Sequence, residues 1–113
     1  MQKLSLDAVA HEQLDTARTT AAARSSVTVF GGHEHALRQT VVALLAGASL
    51  GEHENPGEAT VHVLSGRVQL TAGTDKWDGR AGDLLIIPDA RHGLQAIEDS
   101  VVLLTAVPRS HIR

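Results

Sequence analysis

Residues 53–66, HENPGEATVHVLSG, bring two histidines, an asparagine and two glutamates into one short stretch that closes on a glycine. Imidazole nitrogens and carboxylate oxygens are the ligands with which proteins hold zinc, iron, manganese or nickel. The stretch therefore has the composition of a metal site from which some of the ligands have been removed. The elements that position these side chains decide whether a metal, a small molecule or only water occupies the site.

The amino-acid composition limits the classes of function that the chain can have. The chain has 113 residues, 42% of them hydrophobic, which predicts one packed domain. Aromatic residues are only 2%, namely Trp77 and Phe30, and the net charge is −3. Since nucleic-acid binding relies on basic surfaces and aromatic stacking, no nucleic-acid partner is expected. The chain has no cysteine, which excludes disulfides, thiolate metal sites and cysteine nucleophiles.

No membrane association is expected either. The longest apolar run, VVALLAGASL (41–50), is interrupted by Gly47 and Ser49 and is shorter than the ~18 residues of a spanning helix. The first residues, MQKLSLDAVAHEQLDT, carry acids where a signal peptide would have its apolar segment. The sequence therefore predicts a cytoplasmic protein.

Two structural regions are predicted within the single domain. Residues 1–25 form an N-terminal helical region with a helix from Leu4 to about Arg24, because Ser5 is a suitable N-cap and Asp7 lies in the first turn. Residues 26–113 form an all-β region of about eight short antiparallel strands. Seven segments are rich in β-branched residues and separated by turn signals: 26–30, 37–46, 59–65, 67–72, 83–88, 92–97 and 100–107.

Two groups of residues resemble the two motifs of the cupin superfamily: Gly51, His53, Asn55, Glu58 and Gly66, and then Gly82-Asp83, Pro88 and His92. The resemblance extends from about Leu37 to Val107. It implies an antiparallel, jelly-roll-like cupin β-barrel, which usually holds one divalent metal through three histidines and a glutamate. With the helix, the expected fold class is an all-β cupin barrel that has an N-terminal α-helix.

The resemblance also implies which residues form the site. The four ligand positions of the family fall on His53, Asn55, Ala59 and His92. The implied ligand-binding residues are therefore His53, Asn55 and His92, and the implied metal ligands are His53 and His92 alone. The expected cofactor is none, or one weakly bound divalent zinc, iron, manganese or nickel ion. The two histidines would otherwise be polar groups in a wet barrel.

Neighbouring side chains do not restore the missing ligands. Side chains alternate between the faces of a strand, so Glu58 and His62 are expected on the face opposite to that of Ala59. A second H-x-H pattern, His33-Glu34-His35, is predicted to be a solvated loop. No serine lies in a nucleophile elbow, and no catalytic residue can be named.

Three functions remain open at this point. The first is a small-molecule-binding or non-catalytic barrel with a degenerate metal site. The second is a metal-dependent enzyme, of the dioxygenase or isomerase type, that uses His53 and His92. The third is a ligand-sensing or interaction module.

A homodimer is expected from the strands at 59–65 and 100–107, which are apolar on both faces. One face fills the barrel, and the other must be covered by the helix or by a second copy. His62 and Leu64 are predicted to lie at or near this contact.

Overall fold

The computed structural model describes residues 2–55 and 57–111. Positions 1 and 113, which are the two ends of the predicted domain, lie outside the described residues. Pro56 lies outside them as well. The described part contains a helix, nine strands and a short 3₁₀ turn: α1 (Leu6–Ala17), β1 (Arg24–Phe30), β2 (Arg38–Leu44), β3 (Ser49–His53), β4 (Gly57–Ser65), β5 (Arg67–Ala72), β6 (Asp75–Arg80), β7 (Leu84–Ile86), β8 (His92–Ala96), β9 (Ser100–Pro108) and the turn Arg109–His111.

Helix α1 begins at Leu6, two residues after the predicted start, and it also ends earlier than predicted. The Ser5 hydroxyl accepts a hydrogen bond from the Ala8 amide at 3.2 Å, which confirms the N-cap. The helix ends at Ala17 rather than near Arg24. The hydroxyls of Thr19 and Thr20 donate to carbonyls three residues earlier, at 2.8 and 3.1 Å. Such local bonds stabilise a turn in place of further helix.

The strands form two antiparallel sheets. One sheet has the order β1-β2-β9-β4-β7, and the other has the order β3-β8-β5-β6. All of the pairings are antiparallel. This arrangement confirms the predicted all-β architecture with an N-terminal helix. Within the described ranges, no helix is both long enough and apolar enough to cross a bilayer.

Strands β3 and β6 were not predicted. Both are edge strands of the four-stranded sheet, and nearly every residue in them is exposed or half-exposed. A strand exposed on both faces lacks the alternation of apolar and polar residues that identifies a strand in a sequence. The prediction of about eight strands is therefore one short.

The inner faces of the two sheets form the main core. On β4 the buried set is Ala59, Val61 and Val63, and on β9 the residues Val102, Leu104 and Ala106 face the same core. These residues pack against the inner face of the second sheet, to which Leu70 and Leu94 belong. The barrel interior is thus filled largely by aliphatic side chains.

Helix α1 covers part of the outer face of the five-stranded sheet. Its buried Ala17 packs with Val41, Ala43 and Val101 in a second apolar cluster, and Leu64 is partly buried against this cluster. The predicted outer-face position of Leu64 is correct, but its neighbours include the cluster under the helix. A charge at this position would therefore disturb the packing of α1 as well as any contact with a second copy.

A tight turn joins β4 to β5 beside the start of β9. Gly66 occupies this turn with φ +81°. The Ser100 hydroxyl next to it accepts from the Arg67 amide at 2.9 Å and donates to the Glu98 carbonyl at 2.7 Å. Because Ser100 is buried, these bonds tie the turn to the five-stranded sheet.

The Arg67–Asp78 ion pair makes stability depend on pH. The hydrogen bond from the Arg67 guanidinium lowers the pKa of Asp78 below its usual value, and the positive charge of Arg67 acts in the same direction. A carboxyl with a lowered native pKa stabilises the fold above its unfolded pKa, and this contribution is lost as pH falls through the native pKa.

We therefore expect Asp78→Asn to lower the free energy of unfolding near pH 7 and to have a smaller effect near pH 3. Urea unfolding at both pH values measures the difference between the variant and the wild type. An equal difference at the two pH values would contradict the role of this ion pair.

Candidate functional site

His53 and His92 lie side by side at one end of the β3–β8 ladder. His53 is the last residue of β3, His92 is the first of β8, and the two are directly paired. Their ring centroids are 4.5 Å apart and the ring planes are tilted by 59°. His92 is only 5% exposed, whereas His53 is exposed. The pair therefore has one buried imidazole and one that solvent reaches.

Backbone carbonyls orient both rings. The Nδ1 atom of His53 lies 2.9 Å from the Gly51 carbonyl oxygen, and the Nδ1 atom of His92 lies 3.0 Å from the Ala90 carbonyl oxygen. A carbonyl oxygen only accepts hydrogen bonds, so each Nδ1 must carry the proton. In the neutral rings both Nε2 atoms then have free lone pairs. This is the orientation by which backbone carbonyls prepare histidines to bind metals or hydrogen-bond donors.

Asn55 fixes a loop. Its Nδ2 donates to the Pro88 carbonyl at 3.0 Å, and its Oδ1 accepts from the Gly57 amide at 2.9 Å. The buried side chain thereby holds the β3–β4 connection against the segment that follows β7. Asn55 also lines a cleft of about 470 Å³, which neither His53 nor His92 lines. The structure thus brings the two histidines together. Both the nitrogen and the oxygen of the Asn55 side-chain amide form hydrogen bonds to backbone atoms.

The other positions near the motif follow strand alternation as predicted. Ala59 is buried in the core and Glu58 is exposed. His62 is paired with Leu84 and Leu103, and Leu103 packs in the cluster under α1, so His62 belongs to the outer face. Within residues 2–55 and 57–111, no three His, Cys, Asp or Glu side chains are grouped closely enough to hold a metal ion. Two imidazoles do not fit a tight site, which needs three or four protein ligands.

Arg91, next to His92, contacts two neighbouring residues. The Arg91 guanidinium lies 3.9 Å from the Glu54 carboxylate and donates to the Glu52 carbonyl at 3.3 Å. These three side chains are exposed. The rim beside the His53–His92 pair is therefore charged, and Arg91 balances only one of its two glutamates.

Sequence reasoning missed Arg38, the first residue of β2. Its Nε atom is buried, and no described group hydrogen-bonds to it. Arg38 has the same parity as Thr40 and Val42, and Val42 faces the core. The sequence signal for Arg38 was a positively charged residue at a position of a buried strand whose side chain faces the core.

The family described as "Cupin domain" matches residues 40–108, more than half of the chain. No curated protein matches the sequence well enough to indicate a relationship.

Solved structures with the same fold are numerous. A conserved protein of unknown function from Streptococcus pyogenes is 29% identical, with a TM-score of 0.70 over 79% of this chain and 77% of that chain. An RmlC-like cupin from Desulfovibrio desulfuricans is 25% identical, with a TM-score of 0.66 over 75% of this chain and 82% of that chain.

A Cupin 2 conserved barrel domain protein from Salinispora arenicola covers more of the chain. It is 17% identical, with a TM-score of 0.67 over 93% of this chain and 87% of that chain, and it supports the fold alone. The family match and the two-sheet barrel together establish that the chain belongs to the cupin domain family.

Proposed function

We propose that this cupin is a small-molecule-binding barrel whose metal site has degenerated to the His53–His92 pair. The observation that carries the proposal is the hydrogen bonding that the two rings share. Both Nδ1 atoms face backbone carbonyls, so two Nε2 lone pairs are available on rings whose centroids are 4.5 Å apart.

The ligand class follows from these atoms. Two neutral imidazoles with free Nε2 lone pairs accept hydrogen bonds, so they suit a polar molecule with O–H or N–H donors. Because His92 is buried and His53 is exposed, the ligand would approach from the His53 side. Burial strengthens the hydrogen bond to His92, since water competes less for the acceptor.

A metal-dependent enzyme is the second candidate, and the same ring orientation supports it. A divalent ion bound to both Nε2 atoms would act as a Lewis acid toward a substrate. With two protein ligands such an ion would be held weakly, because water would have to fill most of its shell.

The first test measures which nitrogen of each imidazole ring carries the proton. We expect long-range ¹H–¹⁵N spectra near pH 8 to show the Nδ1–H form for both His53 and His92. Addition of a mixture of small polar metabolites should shift both Nε2 resonances in wild-type protein. Molecules that bind should lose about tenfold or more in affinity in His92→Ala, as expected when a buried hydrogen-bonding partner is removed. Equal binding by the variant would contradict the proposal.

The second test concerns the metal. We expect Zn²⁺ to bind with a dissociation constant of about a micromolar or weaker, far short of the ~10–16 kcal/mol of structural zinc sites. His53→Ala and His92→Ala should each weaken this binding at least about tenfold, because one ligand remains. His11→Ala, on the exposed side of α1, is the matched control and should bind as the wild type does. One equivalent of metal in protein purified without an affinity tag would favour the enzyme.

A further inference from the structure

We propose that a cavity at the end of the β1–β2 ladder binds a small oxyanion, a carboxylate or a phosphate group, through Arg38. This site shares no residue with the His53–His92 pair, so it goes beyond the function proposed above. The cavity has a volume of about 310 Å³. Its lining residues are Thr28, Gly31, Gly32, His33, Arg38 and Thr40.

The strand register places the polar groups of the cavity together. Thr28 of β1 is paired directly with Thr40 of β2, and Arg38 precedes Thr40 by two residues on the same face of β2. Two hydroxyls and a guanidinium therefore lie at one end of the β1–β2 ladder. Hydroxyl and guanidinium groups are the usual donors to carboxylate and phosphate oxygens.

Arg38 lacks a counterion among the described residues. Its Nε atom is buried and has no hydrogen-bond partner there. None of the ion pairs within the described part of the chain involves Arg38. Arg67, whose Nε is also buried without a partner, differs because its guanidinium is bonded to Asp78. Arg38 as a whole is half-buried, and an oxyanion in the cavity would supply its guanidinium with an acceptor and the opposite charge.

The loop beside the cavity leaves room for the Arg38 side chain. Gly31 and Gly32 have φ values of +142° and +139°, which side chains rarely adopt. A Cβ atom on Gly31 would lie 3.3 Å from Arg38 Cγ. The nearby carboxylate of Glu34 lies 3.5 Å from His35 Nε2 and forms no ion pair with Arg38 within the described residues. The loop thus borders the guanidinium without neutralising it.

Titration with inorganic phosphate and, separately, with acetate tests the site. We expect one of the two anions to shift the Arg38 Nε–Hε resonance saturably at millimolar concentration, with ionic strength held constant by chloride. Tighter binding of phosphate would identify a phosphate-type site, and tighter binding of acetate a carboxylate-type site. Arg38→Gln should weaken the binding at least about tenfold, because the charged donor is lost. The absence of a saturable response to both anions would overturn the proposal.

Matched variants separate this site from other effects. Arg80→Gln removes an exposed arginine from β6 and should leave anion binding unchanged. If Arg38→Gln fails to fold, the variants Thr40→Val and His33→Ala test the site in its place. Anion binding that is unchanged in both variants would overturn the proposal. Zn²⁺ binding at His53 and His92 should be unaffected by Thr40→Val. The proposal for one site can therefore be refuted without refuting the proposal for the other.

Discussion

Gly66→Ala is expected to lower the free energy of unfolding by about 3 kcal/mol or more, because backbone strain and a steric clash add at one position. At φ +81°, an alanine would be held in the left-handed region. Its Cβ would also meet the Asp99 carbonyl oxygen and the Ser100 hydroxyl, and would lie 2.8 Å from Ser100 Cα. Ser100 is buried and bonded to Arg67, so it cannot move away without breaking those bonds. Urea unfolding followed by circular dichroism measures the change.

Gly73→Ala is the matched control for this substitution. Gly73 also has a positive φ, +60°, in the turn between β5 and β6, but a Cβ there would have nothing within 4 Å. The control measures only the cost of holding an alanine backbone at a positive φ, which is about 1–2 kcal/mol. If Gly66→Ala were no more destabilising than Gly73→Ala, the close packing of the turn against β9 would have no energetic role.

Ile86→Glu is expected to convert a homodimer into a monomer. We propose that two copies associate through β7, the terminal strand of the five-stranded sheet. Leu84 and Ile86 lie on the outer face of this strand and are 57% and 68% exposed. They are too large and too exposed for an edge strand that stays in water, since such edges associate readily.

The backbone of β7 suits pairing with itself. Val63 donates to the Asp83 carbonyl and Ile87 donates to the Ala59 carbonyl, so the alternate residues Asp83 and Ile87 bond inward to β4. The amide groups of Leu84 and Ile86 then point to the free edge. In an antiparallel pair centred on Leu85, Leu84 of one copy lies opposite Ile86 of the other. The edge is therefore self-complementary, as a twofold contact requires.

Light scattering at tens of micromolar tests this association. The wild type should have about twice the 11.9 kDa chain mass, and Ile86→Glu should have the chain mass. Val27→Glu is the control, because Val27 is a 38% exposed residue on β1 at the opposite edge of the same sheet. Leu64→Glu is a less specific test, since Leu64 packs partly against the cluster under α1. A wild-type monomer would refute the dimer.

The strands that the sequence predicted are the segments rich in β-branched and other apolar residues between turn signals. On β4, the motif position of Ala59 implied that Ala59 and the residues of the same parity face the interior, and the structure confirms that Ala59, Val61 and Val63 belong to the core. Strands β3 and β6 escaped prediction because their side chains are exposed on both faces. Strand β3 is held by backbone pairing to β8, which is distant in sequence and leaves no local signature, whereas β6 forms a hairpin with β5 across the turn that contains Gly73.

The candidate site was predictable only in part, for the same reason. The cupin resemblance brought His53 and His92 together, and the β3–β8 register confirms that they are neighbours. The role of Asn55 depends on the Pro88 carbonyl, 33 residues away, and is visible only once the chain has folded. The burial of Arg38 likewise depends on β1 and its glycine loop rather than on the residues of β2.

The position of β9 has a consequence for the order in which the chain acquires its structure during synthesis. The five-stranded sheet has β9, the last strand, at its centre between β2 and β4, and Arg38 is paired with Ala106. As the polypeptide leaves the ribosome, β2 and β4 are exposed early and have no strand between them. Their apolar residues remain unsheltered until β9 emerges. Assembly of this barrel is therefore a late event, and nascent chains stalled before Ser100 should be the species that chaperones bind and proteases cleave.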